Sequence, residues 1–358
     1  MSPSFPDTVF SDSVMTVLGP VKADDLGQTL IHEHILNDCT CWWRGHDPLF
    51  TSPLRDVSVS PDILWQLRND PFANKHNCAL NDEALAIEEL GLFTAEGGRT
   101  VVDPTCQGIG RNPEALVRIA QATGLNIIMG SGYYLEASHP AHLKGMSSED
   151  VAEEIVSEAE IGVGQSGVRI GMIGEIGVSA DFTDEERKVL RGSALAAVRT
   201  GLPLMVHLPG WERLAHEVLD EVEAAGQPLD RVILCHMNPS FDDLNYQRGL
   251  ARRGAYIEYD MMGMDYWYDD QKVQCPSDEQ TCKAIASLFA DGFGEQVLLS
   301  QDVFLKMMLC AYGGNGYAHV SRYVLPRLKR LGLSAQDLHL VMVDNPRRAL
   351  LQRLNEGN

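Results

Sequence analysis

Thr29-Leu-Ile-His-Glu-His-Ile35 is a short apolar run that closes on two imidazoles, His32 and His34, and the other runs of its kind decide the fold. On an extended chain successive side chains alternate between faces, so histidines at i and i+2 project together and both can reach one ion. Taken alone such a pair is weak evidence. Its weight comes from seven later apolar runs, several of which deliver one more metal-competent side chain at a similar place.

The later runs are Thr100 to Cys106, Asn126 to Tyr134, Ile170 to Val178, Leu202 to Gly210, Arg231 to Met237, Ala255 to Gly263 and Gln296 to Val303. All are rich in Val, Ile and Leu and nearly continuous in apolarity, as strands buried on both faces are. Helical material separates them. Thr183 with Glu186 forms a capping box ahead of an Ala/Leu-rich stretch that ends before Gly201, and Ser277 with Gln280 repeats the device. Eight strand-then-helix units predict an α/β fold, a (β/α)8 TIM barrel spanning 1–358 as one domain, with working groups at the C-terminal ends of the strands. A doubly wound open sheet is the alternative, but Gly108-Ile-Gly110 lacks the third glycine of a phosphate loop. Outside the units, Val14 to Gly27 predicts a small N-terminal β-hairpin lidding the barrel. An insert after strand 1, Asn37 to about Leu80 with Trp42, Trp43 and Trp65, predicts a loop with short helices over the mouth.

The chain has 358 residues, 44% hydrophobic and 22% charged, enough to bury a large core. A net charge of -21 disfavours nucleic acid and anionic membranes as partners. The eight cysteines show no paired C-x-x-C spacing, which predicts neither a structural zinc site nor a disulfide framework, and reduced thiols fit a cytoplasmic protein. Met1 to Ser13 has no basic region followed by an apolar core, so the chain reads as soluble and unprocessed.

Placed on those strands, His32 and His34 end the first, Glu175 lies late in the fourth, His207 ends the fifth, His236 the sixth and Asp302 the eighth. An isolated strand-end histidine is usually a hydrogen-bonded core residue. Six such residues aimed at one mouth are a different matter. Four imidazoles and two carboxylates exceed the needs of one divalent ion and suit two ions sharing a bridge. A carboxylate within an apolar strand, as at Glu175, is costly unless paired or metal-bound.

The motifs Gly27-Gln-Thr-Leu-Ile-His-Glu-His34, Ile173-Gly-Glu-Ile-Gly177, Val206-His207, Cys235-His236 and Ser300-Gln-Asp302 occur in the order seen in the phosphotriesterase-related branch of the amidohydrolase superfamily, which the chain resembles from Met15 to Leu354. The resemblance implies that His32, His34 and Asp302 hold a buried metal, that His207 and His236 hold a more exposed one, and that Glu175 bridges them. Many relatives bridge with a carbamylated lysine. Zinc is the first expectation, with manganese, iron or cobalt also suited to these ligands. A metal-bridging hydroxide would attack, and Asp302 would carry its proton to the leaving group. Gln301, where relatives more often carry His or Asn, should face away with little chemical consequence.

Several further residues are candidates for binding substrate. Arg111 and Lys306, each following a strand, could hold a carboxylate or sulfonate, with a structural ion pair as the competing reading. Tyr134 and Trp211, and with them Tyr133, Tyr266 and Trp267, could wall the pocket. Asp260 and His139 are weaker candidates outside the catalytic set. Gly174-Glu-Ile-Gly177 with Tyr312-Gly-Gly-Asn-Gly-Tyr317 is most similar to the branch that includes animal N-acetyltaurine hydrolases and relatives labelled resiniferatoxin-binding. The implied reaction is cleavage of an amide of an N-acyl amino acid or aminosulfonate, then of an ester or lactone, with phosphotriesters as promiscuous substrates. A non-catalytic ligand-binding barrel is the alternative of another class, and a homodimer is implied by the resemblance alone. A barrel oxidoreductase or aldolase is disfavoured, since no cofactor motif appears and no lysine ends an inner strand.

Overall fold

The computed structural model describes residues 9–354, so most of the Met1 to Ser13 reading lies outside the described residues. Each apolar run overlaps a strand: β1 (Gln28–Leu30), β2 (Gly98–Asp103), β3 (Asn126–Met129), β4 (Ile173–Gly177), β5 (Leu204–His207), β6 (Val232–Leu234), β7 (Tyr256–Tyr259) and β8 (Val297–Leu299). Parallel ladders join β1-β2-β3 and β4-β5-β6-β7-β8 in order. Bonds at two seams close the ring. Gly171 N donates to Met129 O at 3.0 Å and Gly174 N to Ser131 O at 2.6 Å, linking β3 to β4. His34 N donates to Val303 O and Asp302 N to His32 O, both at 3.2 Å, linking β8 to β1. A closed ring has no open edge, which rules out the doubly wound sheet. The strands are shorter than the apolar runs because the chain leaves the ladder where its polar residues turn into the mouth.

Helices α1 (Glu83–Ala95), α2 (Pro113–Thr123), α3 (Ser148–Glu160), α4 (Asp184–Thr200), α5 (Ala215–Ala224), α6 (Leu244–Arg252) and α7 (Asp278–Ala290) alternate with the strands, and shorter helical segments follow β8. Both expected capping boxes form, at Thr183 with Glu186 and at Ser277 with Gln280. Gly201 ends α4 at φ 71°, a left-handed turn that glycine takes without strain. No helix among the described residues is long and apolar enough to cross a membrane.

Ile31, Val102, Ile128, Met172, Met205, Ile233 and Leu298 fill the barrel interior, where Val14, Leu26 and Leu350 join them. Val14 belongs to the expected hairpin, Ser13–Thr16 paired antiparallel with Gly19–Lys22. Val17 N donates to Ile127 O at 2.9 Å, so the hairpin lids the N-terminal end of the barrel, opposite the polar mouth. The insert is closed at its base by Asn37–Asp38 pairing with Ala79–Leu80, and short 3-10 turns with one α-helical turn, Leu64–Leu67, fill it. Asn37 Nδ2 donates to Phe304 O at 3.1 Å, which ties the insert to the segment after β8. Trp43 is buried in the insert, whereas Trp65 is 67% exposed and takes no part in the mouth.

Glu33, between the two histidines, faces away from the mouth and is fully buried. Its carboxylate accepts from Ser300 Oγ at 2.8 Å and from Gln301 N, Gln301 Nε2 and Val303 N, each at 2.9 Å. Burial pushes the carboxyl up to about 7 against the pull of these donors. Gln301 does face away from the mouth as expected, but it serves as half of this strap, and its Oε1 also accepts from Val320 N at 2.7 Å. Glu33→Ala orphans the four donors and leaves a cavity. The expected cost is about 3 kcal/mol of unfolding free energy, read from the urea midpoint.

Candidate metal centre

Every predicted ligand reaches the barrel mouth. His32 and His34 lie just beyond β1, Glu175 is within β4, His207 ends β5, and His236 and Asp302 lie just beyond β6 and β8. His236 at φ 58° and Asp302 at φ 48° adopt the left-handed backbone, which costs a residue with a Cβ about 1–2 kcal/mol and must be held by its surroundings. Asp260 does so for His236, whose N–H donates to its carboxylate oxygens at 3.1 and 2.9 Å.

Two donor groups result, with Glu175 contacting both. In the first, His32 Nε2 lies 3.5 Å from Glu175 Oε2 and 3.6 Å from Asp302 Oδ1. His34 Nε2 lies 3.2 Å from Glu175 Oε1 and 3.4 Å from Asp302 Oδ1. In the second, Glu175 Oε2 is 3.2 Å from His207 Nδ1 and 3.6 Å from His236 Nε2, and the two imidazole nitrogens are 2.6 Å apart.

A test of fit comes from the unpaired atoms. His32 Nε2 and Asp302 Oδ1 are buried without a hydrogen-bond partner, which native interiors rarely tolerate. Donors around a tetrahedral ion with bonds of about 2 Å sit about 3.3 Å apart. Most of the spacings match that figure rather than hydrogen-bond length. Borderline nitrogen and hard oxygen donors suit a divalent ion, so these residues can hold one in each group.

Their orientation is fixed from behind. His236 Nδ1 lies 3.0 Å from Asp260 Oδ1, His34 Nδ1 2.7 Å from Thr105 Oγ1, and His32 Nδ1 3.4 Å from Asp260 Oδ2 and 3.5 Å from Glu258 Oε2. Acceptors at Nδ1 place the ring proton there and turn the Nε2 lone pair to the cluster. Asp260, given only a weak reading in the sequence, and Glu258, not singled out there, are therefore part of the site's frame. Their available signal was an i, i+2 pair of acids in the apolar strand Tyr256-Ile-Glu-Tyr-Asp260. Asp260→Asn keeps the shape and removes the charge behind two candidate ligands, His32 and His236. Metal affinity is expected to fall about 10–100-fold with the fold intact, measured by chelator competition.

The electrostatics show a demand for cations. Burial opposes ionisation of Glu175, yet His32, His207 and His236 hold its carboxyl well below the usual range. Burial lowers the imidazoles in turn, but Asp302 and Glu175 raise His34 to about 9, and Asp260 raises His236 to about 10. His207 is lowered, by burial and then by His236 beside it. Without metal, crowded carboxylates keep protons on imidazoles that an ion would need bare.

A cavity of about 310 Å³ opens over the cluster, lined by Tyr134 and Trp211 as expected, together with Trp42, Phe72, Met261, Met264, Tyr268 and Phe304. Two expectations need correction. Arg111 forms a bidentate pair with Glu158, 2.7 Å at each end, and is absent from the cavity wall, because burial beside that acid outweighs any pull toward the mouth. Lys306 is buried too, donating to Ala79 O and Asn81 Oδ1, where it pins the insert instead of facing substrate. Tyr133 donates to Glu154 at 2.9 Å outside the cavity, and Tyr266 and Trp267 also miss its wall.

The whole chain is similar to known proteins. The family model of the phosphotriesterase family matches residues 12–350. An N-acetyltaurine hydrolase of Dictyostelium discoideum is 33% identical, over 94% of this chain and 97% of the relative. The crystal structure of a resiniferatoxin-binding protein from Rhodobacter sphaeroides superposes with a TM-score of 0.92 at 55% identity, covering 96% of each chain. A phosphotriesterase homology protein from Escherichia coli, complexed with phosphate in its active site, gives 0.76 at 27% identity, over 91% of this chain and 99% of that one. The family match and the whole-chain similarity agree: the chain belongs to the phosphotriesterase family and is a hydrolase of that family.

Proposed function

We propose that the chain hydrolyses a carboxylic amide, and secondarily an ester or lactone, at a pair of divalent ions. His32, His34 and Asp302 would hold the buried ion and His207 with His236 the other, with Glu175 shared between them. The observation that carries this is the position of Glu175, whose two carboxylate oxygens lie within 3.2–3.6 Å of all four imidazoles. A divalent pair held by these residues, zinc being the first candidate, would supply an acidified water and polarisation of the scissile oxygen.

The chain's own groups then have defined tasks. Asp302 faces both the first donor group and the cavity, so it can accept the proton of the attacking water and pass it to the leaving nitrogen. Tyr134 Oη accepts from Trp42 Nε1 at 3.2 Å and lies 3.4 Å from His207 Nε2. With Nδ1 of His207 turned to the cluster, its Nε2 carries the ring proton and also donates to Tyr134. Both lone pairs of the hydroxyl are then used, which frees its own proton for a substrate carbonyl or leaving group. Burial keeps the phenol neutral, pushing its pKa well above the ordinary value. Trp42 and Phe72, from the insert, line this end of the cavity with apolar rings.

Amide is placed before lactone on the similarity to N-acetyltaurine hydrolases. The test is a size-matched panel of N-acetylated amines and aliphatic lactones given to the metal-loaded enzyme. Faster amide cleavage supports the first reading, and faster lactone opening moves the protein to lactone chemistry. Tight binding of these compounds without turnover would make it a binding barrel. Because a glutamate bridge needs no carbon dioxide, adding bicarbonate during metal reconstitution is expected to leave activity unchanged, measured as recovered turnover with and without it.

A further inference from the structure

Resting on that hydrolytic reading, we infer that the substrate is uncharged and carries an aromatic or branched apolar group, and that N-acylated aminosulfonates or amino acids with a free anion are rejected. A continuous aromatic wall carries this. Trp42 stacks on Phe72 with ring centroids 5.6 Å apart, Phe72 meets Tyr268 at 5.3 Å, and Tyr268 meets Trp211 edge-on at 5.7 Å. Met261 and Met264 complete the apolar lining.

Among the described residues, no lysine or arginine lines this cavity. Its acids are Glu175 and Asp302 at the cluster and Asp181 on the exposed rim. Two arginines of the surrounding loops, Arg44 and Arg213, are already matched to acids. Arg44 bridges Asp70 at 2.6 Å and Asp269 at 2.9 Å, and Arg213 lies 3.5 Å from Asp243.

A sulfonate or carboxylate held against this wall, away from the cluster, would lose its hydration without gaining a lysine or arginine partner. The positive charge of a loaded cluster acts at the scissile end, leaving the wall to receive the remainder of the substrate. A net charge of -21 opposes the approach of an anion as well. An apolar arm instead gains from burial against four rings.

The experiment compares pairs that share a scissile bond: phenyl acetate with 4-acetoxybenzoate, and N-acetylphenethylamine with N-acetyltaurine. The neutral member of each pair is expected to have kcat/KM at least about a hundredfold higher. Equal or better turnover of the anions overturns the inference. Calorimetry with the uncleavable ketones 5-phenylpentan-2-one and 4-oxopentane-1-sulfonate separates specificity from chemistry. If no ester or amide is cleaved but only the neutral ketone binds, the specificity stands and the hydrolytic reading falls. Comparable binding of the sulfonate overturns the specificity whatever the turnover.

Discussion

Asp302→Asn is expected to lower kcat by about a thousandfold or more, because it removes both the proton acceptor and a ligand charge at constant size. Asp302 Oδ1 sits 3.4 Å from His34 Nε2 and 3.6 Å from His32 Nε2 and has no hydrogen-bond partner of its own. A carboxamide there can neither take a proton at neutral pH nor supply the charge that two imidazole ligands leave unbalanced. The fold has little reason to change. Asparagine tolerates the left-handed backbone that Asp302 adopts, and the N–H bond to His32 O remains. Steady-state kinetics at saturating metal, with circular dichroism and thermal melting as controls, provide the measurement. A variant that keeps more than a tenth of wild-type kcat would remove Asp302 from its proposed role.

Chelation is the second large effect: stripping divalent ions is expected to abolish turnover, lower the melting midpoint and make metal uptake strongly pH-dependent. An ion that binds only the folded chain stabilises it by mass action, so its removal destabilises. In the metal-free protein His34, raised to about 9, and His236, raised to about 10, carry protons at pH 7. Metal must displace them. Loading at pH 7 should therefore release protons in a pH-stat, and affinity should fall as pH falls. The same raised values set a stability trend. Their contribution is full below the unfolded histidine pKa of about 6.5 and is lost as pH rises through 9 to 10, so the metal-free protein should weaken at alkaline pH more than the loaded one. Proton-neutral loading, or full activity after exhaustive chelation, would contradict the assignment.

How much of this the sequence contained depends on the kind of contact. The eight strands were legible because parallel strands covered on both faces carry long apolar runs, and the six candidate ligands stood out as polar residues interrupting or ending those runs. The frame behind them was not. Glu258 and Asp260 look like ordinary acids until the barrel closes and brings β7 beside His32 and His236. Arg111 and Lys306 failed for a related reason. A long cation after a strand can turn toward the mouth or away, and its partner decides which. For Arg111 that partner is Glu158, on α3 after the next strand, and for Lys306 it is the insert's return strand. Neither pairing has a local signature. The aromatic wall was only half visible, since Phe72 and Tyr268 come from loops whose path over the mouth is set by tertiary packing.

The most direct measurement is anomalous X-ray diffraction at the absorption edge of the bound metal, from crystals of reconstituted enzyme. Two peaks per chain are expected, one among His32, His34 and Asp302 and one between His207 and His236, with Glu175 touching both. A single peak, or density on a group that leaves Glu175 out, would contradict that assignment.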